Sequence, residues 1–496
     1  MHRATNPVRP LLIMLLAALA WLAAGASPGS AETTPEAPID DYVREYLRTN
    51  GLPGAAIALT RNGEVVHTAG YGRQSDGTRV TDDTPMMIGS VSKTFTAFAV
   101  LQLVEDGRVD LDQPVLRYLP DLVLDDPRAA EITVRQLLTH HSGLPNPTIV
   151  PLSRSLEEEL PTLAGWRLQS DPGTRYLYAN INFHLAALLV QRVTDQPFEQ
   201  YLAAEVFGPL GMTNSTAVAT TVDLTAVPVG HVTAFGRAWP SRELEQLNSG
   251  AGGVISTAGD MGRWLAMQTG QGRIPGTRDT LLDPELLALS HTPQPDAGRH
   301  ALGWDRSSPN ITPERIGKSG AMTGWQAQHS LVPGSGYGVA VLLNSFTPTL
   351  EHAYELSSGI IAIAEGRQGQ AEVGPAKATM IDFGLAAGGL LVLLLAAVRI
   401  ARAGRWAAKR RAWAGWRYGL RLLPQAVLPA VAIGLFGVVP LIGGNASTPD
   451  LIFRLFPAGA VFLLAAAAAG LALIVARVLA RVRGRAAQPA ASPSSA

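Results

Sequence analysis

Ser90 and Lys93 stand three residues apart in Ser90-Val91-Ser92-Lys93. At the start of a helix, that spacing puts an amine and a hydroxyl on one face. An amine so placed can take the proton of a serine nucleophile. The helix N-terminus and a second cation would both depress the lysine pKa toward that task. The same serine could instead be an N-cap, a common use of the residue. Lysine usage sharpens the question: of 40 basic side chains only four are lysines, Lys93, Lys318, Lys377 and Lys409. Where charge alone matters this chain uses arginine. A retained lysine can supply what arginine lacks, a compact amine whose pKa can fall far enough to accept a proton.

Two further segments could join this pair. Asp171-Pro172-Gly173-Thr174 is a turn leading to Tyr178-Ala179-Asn180. A phenol beside two cations can be partly ionised and act as a base, while the Asn180 amide can orient a substrate amide. An ordinary aromatic at a helix start is the alternative for Tyr178. Lys318-Ser319-Gly320 precedes Ala321-Met322-Thr323-Gly324-Trp325, as an edge strand flanking an active site would. A backbone N–H there could face a developing oxyanion, and the glycine would let a substrate strand approach. A glycine-rich surface strand is the bland reading.

Positioning such groups requires mixed elements. Ile39–Thr49 reads as an amphipathic helix, and 55–60 and 64–71 as strands joined by Arg61-Asn62-Gly63. A helix is expected from about Ser90 to Glu105, stopped by Asp106-Gly107. Tyr337–Asn344 reads as a buried strand. No repeat is evident in residues 35–365. Helices interleaved with hairpin strands imply an α+β domain layered around an antiparallel sheet.

The order Ser-x-x-Lys, Tyr-x-Asn, Lys-Ser-Gly at 90, 178 and 318 resembles the class C β-lactamase-like serine hydrolases. That group includes β-lactamases, penicillin-binding proteins, D-alanyl-D-alanine carboxypeptidases, D-aminopeptidases and esterases. Similar flanking strings are 137–145 (Leu-Leu-Thr-His-His-Ser-Gly-Leu-Pro), 210–213 (Leu-Gly-Met-Thr) and 252–260 (Gly-Gly-Val-Ile-Ser-Thr-Ala-Gly-Asp). The resemblance covers about residues 37–365 and implies an antiparallel sheet flanked by helices, with a helical subdomain. It implies Ser90 as nucleophile, Lys93 as its proton acceptor and Tyr178 as second acid/base. Asn180 would contact substrate. Lys318 would hold substrate negative charge and keep Tyr178 acidic, and Ser319 and Gly320 would line the strand. The backbone N–H groups of Ser90 and Ala321 would form the oxyanion hole. Ser319 stands where the β-lactamase motif usually has threonine, which leaves the substrate open. Tyr178-Ala179-Asn180 argues against class A enzymes, whose second motif is Ser-Asp-Asn.

Other motifs fail. Gly25-Ala26-Ser27-Pro28-Gly29 has the form of a nucleophile elbow but lies in a signal region. Gly317-Lys318-Ser319 resembles the end of a phosphate loop, yet the upstream glycine it needs is Thr312. His140-His141 lacks a third ligand at a convincing spacing, so neither a metal nor any other cofactor is expected. The absence of cysteine removes thiolate zinc sites, iron–sulfur clusters and cysteine nucleophiles.

The formal net charge is zero, which argues against a nucleic-acid binder. The balance is a sum of unlike halves, since residues 377–496 hold fourteen Lys/Arg against Asp382 and Asp450. Residues 1–31 read as a secretory signal, with Arg3 and Arg9 before the apolar run 11–25. Residues 32–365 would be the exported hydrolase domain, and 366–379, rich in Gly, Pro, Gln and Ala, a linker. Three apolar segments, about 380–400, 422–443 and 455–476, are each long enough to cross a bilayer. Arg402, Arg405, Lys409, Arg410, Arg411, Arg417 and Arg421 separate the first two, and Arg477, Arg481, Arg483 and Arg485 open a basic tail at 477–496. The positive-inside rule then places loop and tail in the cytoplasm and the hydrolase domain outside. Pro424, Pro429 and Pro440 would kink the second span or be tolerated in it. No mid-span acid or histidine suggests transport. The expected protein is thus a multi-pass membrane hydrolase acting on a cell-envelope peptide, β-lactam, ester or amide.

Overall fold

The computed structural model describes residues 36–147, 152–224, 227–348, 350–369, 376–438 and 448–486. The expected signal region lies outside them. Strands β1 (Gly54–Arg61), β2 (Glu64–Gly72), β3 (Gly230–Ala234), β4 (Arg237–Ser241), β5 (Asp305–Arg306), β6 (Ile316–Met322), β7 (Trp325–Val332) and β8 (Tyr337–Leu343) carry the architecture. Six of them form one antiparallel sheet in the order β2-β1-β8-β7-β6-β5. The N-terminal hairpin therefore lies beside the last strand of this sheet.

Helices cover both faces, and the strands show it by period two. Ala55, Ile57 and Leu59 of β1 face a core with Val339, Val341 and Leu343 of β8. That core is closed by α1 (Glu36–Asn50) and by a second helix, His352–Ala364, through Ile39, Val43, Leu356 and Ile360. The intervening Ala56, Ala58, Ala340 and Leu342 face the larger core on the other side. In α1 the buried Ile39, Tyr42, Val43, Tyr46 and Leu47 make one stripe, as expected of an amphipathic helix. Asn62 and Gly63 close the β1–β2 hairpin, both with positive φ (50° and 90°), the conformation that an Asn-Gly turn favours.

Helix α2 (Ser92–Glu105) behaves differently from α1. Residues Ser92 to Leu101 are buried without a break, so this helix runs through the middle of the larger core. It starts from a 3₁₀ turn, Gly89–Val91, and ends at Asp106 and Gly107, where Gly107 adopts φ +67°. A third helix, α3 (Ile181–Thr194), packs beside it.

Beyond residue 369, α4 (Ala376–Ala401) and α5 (Pro457–Ala486) pack on each other. Each contains a stretch long and apolar enough to cross a membrane, Thr379–Ala401 and Pro457–Gly484, with Leu390, Leu391 and Leu394 exposed on α4. Helix α4 begins inside the expected linker. The expected middle span differs. Its described part is the apolar stretch Leu423–Val438, about 24 Å at 1.5 Å per residue, short of a ~30 Å hydrocarbon layer. Residues 439–447, its expected end, lie outside the described residues. Among the described residues, two helices therefore meet the length requirement where three were expected.

Candidate active site

Ser90 sits in the 3₁₀ turn that feeds α2, and Lys93 one turn further on, so the two side chains share a face. Lys93 Nζ lies 3.1 Å from Ser90 Oγ, 2.9 Å from Asn180 Oδ1 and 2.7 Å from the Ala251 carbonyl oxygen. Ser90 Oγ lies 2.7 Å from the Tyr178 hydroxyl. The serine hydroxyl caps no helix; its partners are the lysine and the phenol. Ser90, Lys93, Tyr178 and Asn180 are thus one cluster, as their motif order implied.

Lys93 is completely buried. Burial, reinforced by the Lys318 charge, holds its pKa well below the ordinary lysine value. A neutral amine has two N–H groups and one lone pair. The Asn180 and Ala251 oxygens can only accept, so they take the two N–H groups and leave the lone pair for the Ser90 hydroxyl. Tyr178 then donates its own O–H to Ser90 Oγ. In its neutral form Lys93 is therefore placed to accept the Ser90 proton.

Two opposing effects act on the Tyr178 phenol. Burial raises the Tyr178 pKa, and the Lys318 charge and the Ser90 hydrogen bond offset this only in part. Burial thus favours the uncharged form of both groups, the amine of Lys93 and the phenol of Tyr178. Tyr178 is placed by His140, which adopts φ +59° and is itself buried. The His140 carbonyl accepts from Leu177 N–H, and its Nδ1 lies 3.2 Å from Ala179 N and 3.1 Å from Asn182 Nδ2. Its ring lies 4.5 Å from that of Tyr178. His140 therefore brackets the tyrosine motif from both sides.

Lys318 lines the same cleft as Ser90 and has a partner within the chain. It donates to Asp305 Oδ2 at 2.8 Å, so its charge is already paired. Asp305 Oδ1 lies 2.6 Å from His300 Nδ1, and the His300 ring stacks on Tyr176 at 3.7 Å. Burial pushes the Asp305 carboxyl up, but the His300 hydrogen bond and the Lys318 ammonium outweigh it and hold the group well below the usual range. Lys318 stands 5.6 Å from the Tyr178 ring centre and acts on it through its field. Ser319 Oγ is engaged by Gln328 Oε1 at 2.6 Å and lies 3.2 Å from Glu351 Oε2. Asn180, expected to hold a substrate amide, accepts from Lys93 while also lining the cleft.

Gly320 lines the cleft and also meets a close backbone approach. A Cβ on it would lie 2.0 Å from the Ile88 carbonyl oxygen and 3.0 Å from Ser90 N. Across from it Gly89, at φ +51°, would place a Cβ 2.8 Å from Ala321 N. The two glycines let the helix start and β6 pass at backbone contact, which brings the N–H groups of Ser90 and Ala321 together. Strand β6 is not a simple edge either, because β5 pairs with its first residues, Ile316 and Gly317. From Lys318 onward it borders a cleft of about 680 Å³ that also reaches Ser90, Tyr178 and Asn180.

Sequence reasoning missed Asp305, His300 and the Ala251 carbonyl. Asp305 reaches Lys318 only because Asp305 pairs with Gly317 in the sheet, and a carbonyl leaves no mark in side-chain spacing. Among the described residues no cluster of His, Asp and Glu could hold a metal.

Residues 39–358, more than half of the chain, match the family described as Beta-lactamase. Protein flp of Staphylococcus aureus (strain NCTC 8325 / PS 47) is 26% identical over 316 residues, which span 62% of each chain. The match thus spans less than two thirds of that relative's length. A putative penicillin-binding protein, PbpX of Bacillus subtilis (strain 168), is 33% identical over 183 residues, 35% of this chain and 43% of that protein. The octameric penicillin-binding protein homologue from Pyrococcus abyssi shares the fold, with TM-score 0.58 and 23% identity over 69% of this chain and 78% of that one. The motif cluster, the sheet flanked by helices and these matches lead to one conclusion: the chain belongs to the beta-lactamase family.

Proposed function

We propose that this protein is a membrane-anchored serine hydrolase that works through an acyl-enzyme on Ser90. The observation that carries it is the contact of Ser90 Oγ with both Lys93 Nζ and the Tyr178 hydroxyl, at 3.1 and 2.7 Å. Ser90 Oγ attacks a substrate carbonyl carbon, and its proton passes to the neutral Lys93. The N–H groups of Ser90 and Ala321 receive the oxyanion, a contribution of about 3–4 kcal/mol per donor in comparable sites. When the C–N or C–O bond breaks, Tyr178 protonates the leaving atom and becomes phenolate beside Lys93 ammonium. Water then gives Tyr178 a proton as it adds to the acyl carbonyl. Collapse returns the Lys93 proton to Ser90 and restores all three groups.

The substrate class is an amide or ester of the cell envelope, such as a D-alanyl peptide or a β-lactam. An esterase or D-amino-acid amidase without β-lactam activity is the second enzyme reading, and an inactive wall-binding receptor the non-enzymatic one. The pairing of Lys318 with Asp305 and the carboxylate of Glu351 beside Ser319 favour the esterase or amidase reading, because both lessen the attraction for a substrate carboxylate. The test exposes wild type and Ser90→Ala to nitrocefin, p-nitrophenyl esters and D-Ala-D-Ala peptides, with intact mass to map the adduct. Ser90→Ala that still turns over ester would sink the assignment.

Anchoring is supported by the starts of α4 and α5, which both lie against the hydrolase domain. The Phe235 N–H donates to Asp382 at 2.7 Å, and Arg454, just before α5, reaches Ser241 Oγ at 3.2 Å. At the far end, Arg481 donates to the Trp413 carbonyl and Tyr418 to the Arg477 carbonyl, which gathers the basic stretches there. The chain between two helices that start on one side must return, and the described apolar stretch Leu423–Val438 lies within that return. The positive-inside rule puts the basic end in the cytoplasm and the hydrolase domain outside. Cysteine accessibility at an introduced Ser335→Cys, against one at Ser492→Cys, tests this orientation in intact cells.

A further inference from the structure

The catalytic cleft shares a wall with a second pocket. That pocket lies where the hydrolase domain meets the starts of α4 and α5, and Ile381, Leu385 and Phe456 supply its apolar side. Thr347, Pro348 and Leu350, which follow β8, line this pocket and also line the cleft that holds Ser90. On one side of this shared wall the surface is polar and reactive. The other is apolar and stands at the height where both long helices begin. The domain is held at that height by the Phe235 hydrogen bond to Asp382, by the Phe235 and Phe383 rings 5.6 Å apart, and by Arg454.

We propose that this pocket receives the apolar tail of an amphiphilic ester or amide held in the outer leaflet, whose scissile carbonyl reaches Ser90 across Pro348 and Leu350. The inference rests on the membrane-anchored hydrolase reading and names its substrate class. At about 80 Å³ the pocket takes only the stretch of chain nearest the headgroup, and the rest of the tail stays in lipid. Withdrawing those methylenes from water favours binding. A bilayer-anchored tail also raises the concentration of the carbonyl at the cleft. A pocket at the helix starts, rather than deep in the domain, suits a ligand that arrives from the membrane.

The experiment uses the full chain in phosphatidylethanolamine/phosphatidylglycerol nanodiscs and compares p-nitrophenyl acetate with p-nitrophenyl decanoate. Wild type should prefer decanoate about tenfold in kcat/KM. Leu385→Trp, which fills the pocket, should abolish that preference while acetate turnover stays within twofold. Gly459→Leu at the same pocket provides a second variant should the first not fold. A decanoate preference unchanged in both overturns the proposal. If neither these esters nor the corresponding p-nitroanilides are turned over, the hydrolase reading falls, and a decanoyl amide bearing a diazirine decides the pocket by itself. Crosslinks on peptides containing Leu385 or Phe456 support it, whereas label no denser there than along the lipid-facing Leu390, Leu391 and Leu394 overturns it.

Discussion

Lys318 and Asp305 form an ion pair of 2.8 Å at the border of the cleft, with the lysine buried and the carboxylate also tied to His300. The cation that a substrate carboxylate would seek is thus partly answered from within the chain. Lys318 still acts at a distance, since its field depresses Lys93 and opposes the rise of Tyr178. Family motifs do not record that pairing, and it bears directly on which substrates the cleft accepts.

Asp305→Asn leaves the Lys318 charge uncompensated. KM for a carboxylate-bearing peptide is expected to fall severalfold, and KM for a neutral p-nitrophenyl ester to change by less than twofold. Because Asp305 is partly exposed, the stability lost with the pair is only about 1–2 kcal/mol. Steady-state kinetics and urea titration check both, and equal shifts for the two substrates would show that the pair does not screen the cleft.

The rate should depend on the free amine of Lys93. Its depressed pKa places the acid limb of kcat/KM well below the pH at which ordinary lysine loses its proton. Removing the second cation in Lys318→Ala raises the Lys93 pKa, so the acid limb should move to higher pH. A pH profile with p-nitrophenyl acetate reads the shift, and a limb that stays in place would detach Lys318 from the base.

Lys93→Met removes the proton acceptor without a cavity of its own size. Loss of about 10³-fold in kcat/KM is expected, within the range for a general base. Stability supplies a second readout with a defined sign. Wild-type Lys93 is depressed in the native state, so between its folded pKa and the ordinary value of about 10.4 the unfolded chain binds the extra proton. Wild-type stability therefore rises with pH through that window, and Lys93→Met should flatten the rise in denaturation midpoints.

Gly320→Ala tests the backbone crossing. Its methyl would meet the Ile88 carbonyl at 2.0 Å, so the helix start and β6 must separate. The Ala321 N–H then moves away from Ser90 N, and kcat should fall by about 10²-fold. A variant with wild-type kcat would mean that the two N–H groups are not paired for catalysis.

Much of this protein was legible before folding. Asn62-Gly63 specifies its hairpin, the 3.6-residue stripe of α1 specifies its face, and Ser90 and Lys93 meet because three residues span one helical turn. The charge asymmetry after Lys377 and the apolar runs are likewise properties of the chain itself. Local geometry carries all of these. The resting protonation of the site could not be read the same way. It depends on burial of Lys93 inside a helix enclosed on all sides, and on a carbonyl from Ala251. The pairing of Lys318 with Asp305 arises from strand register, and the meaning of Gly320 from the chain's own Ile88 rather than from substrate. Residue types and their spacing mark the groups able to react. Packing shifts their proton affinities, because desolvation and field depend on everything around a group and not on its neighbours in the chain.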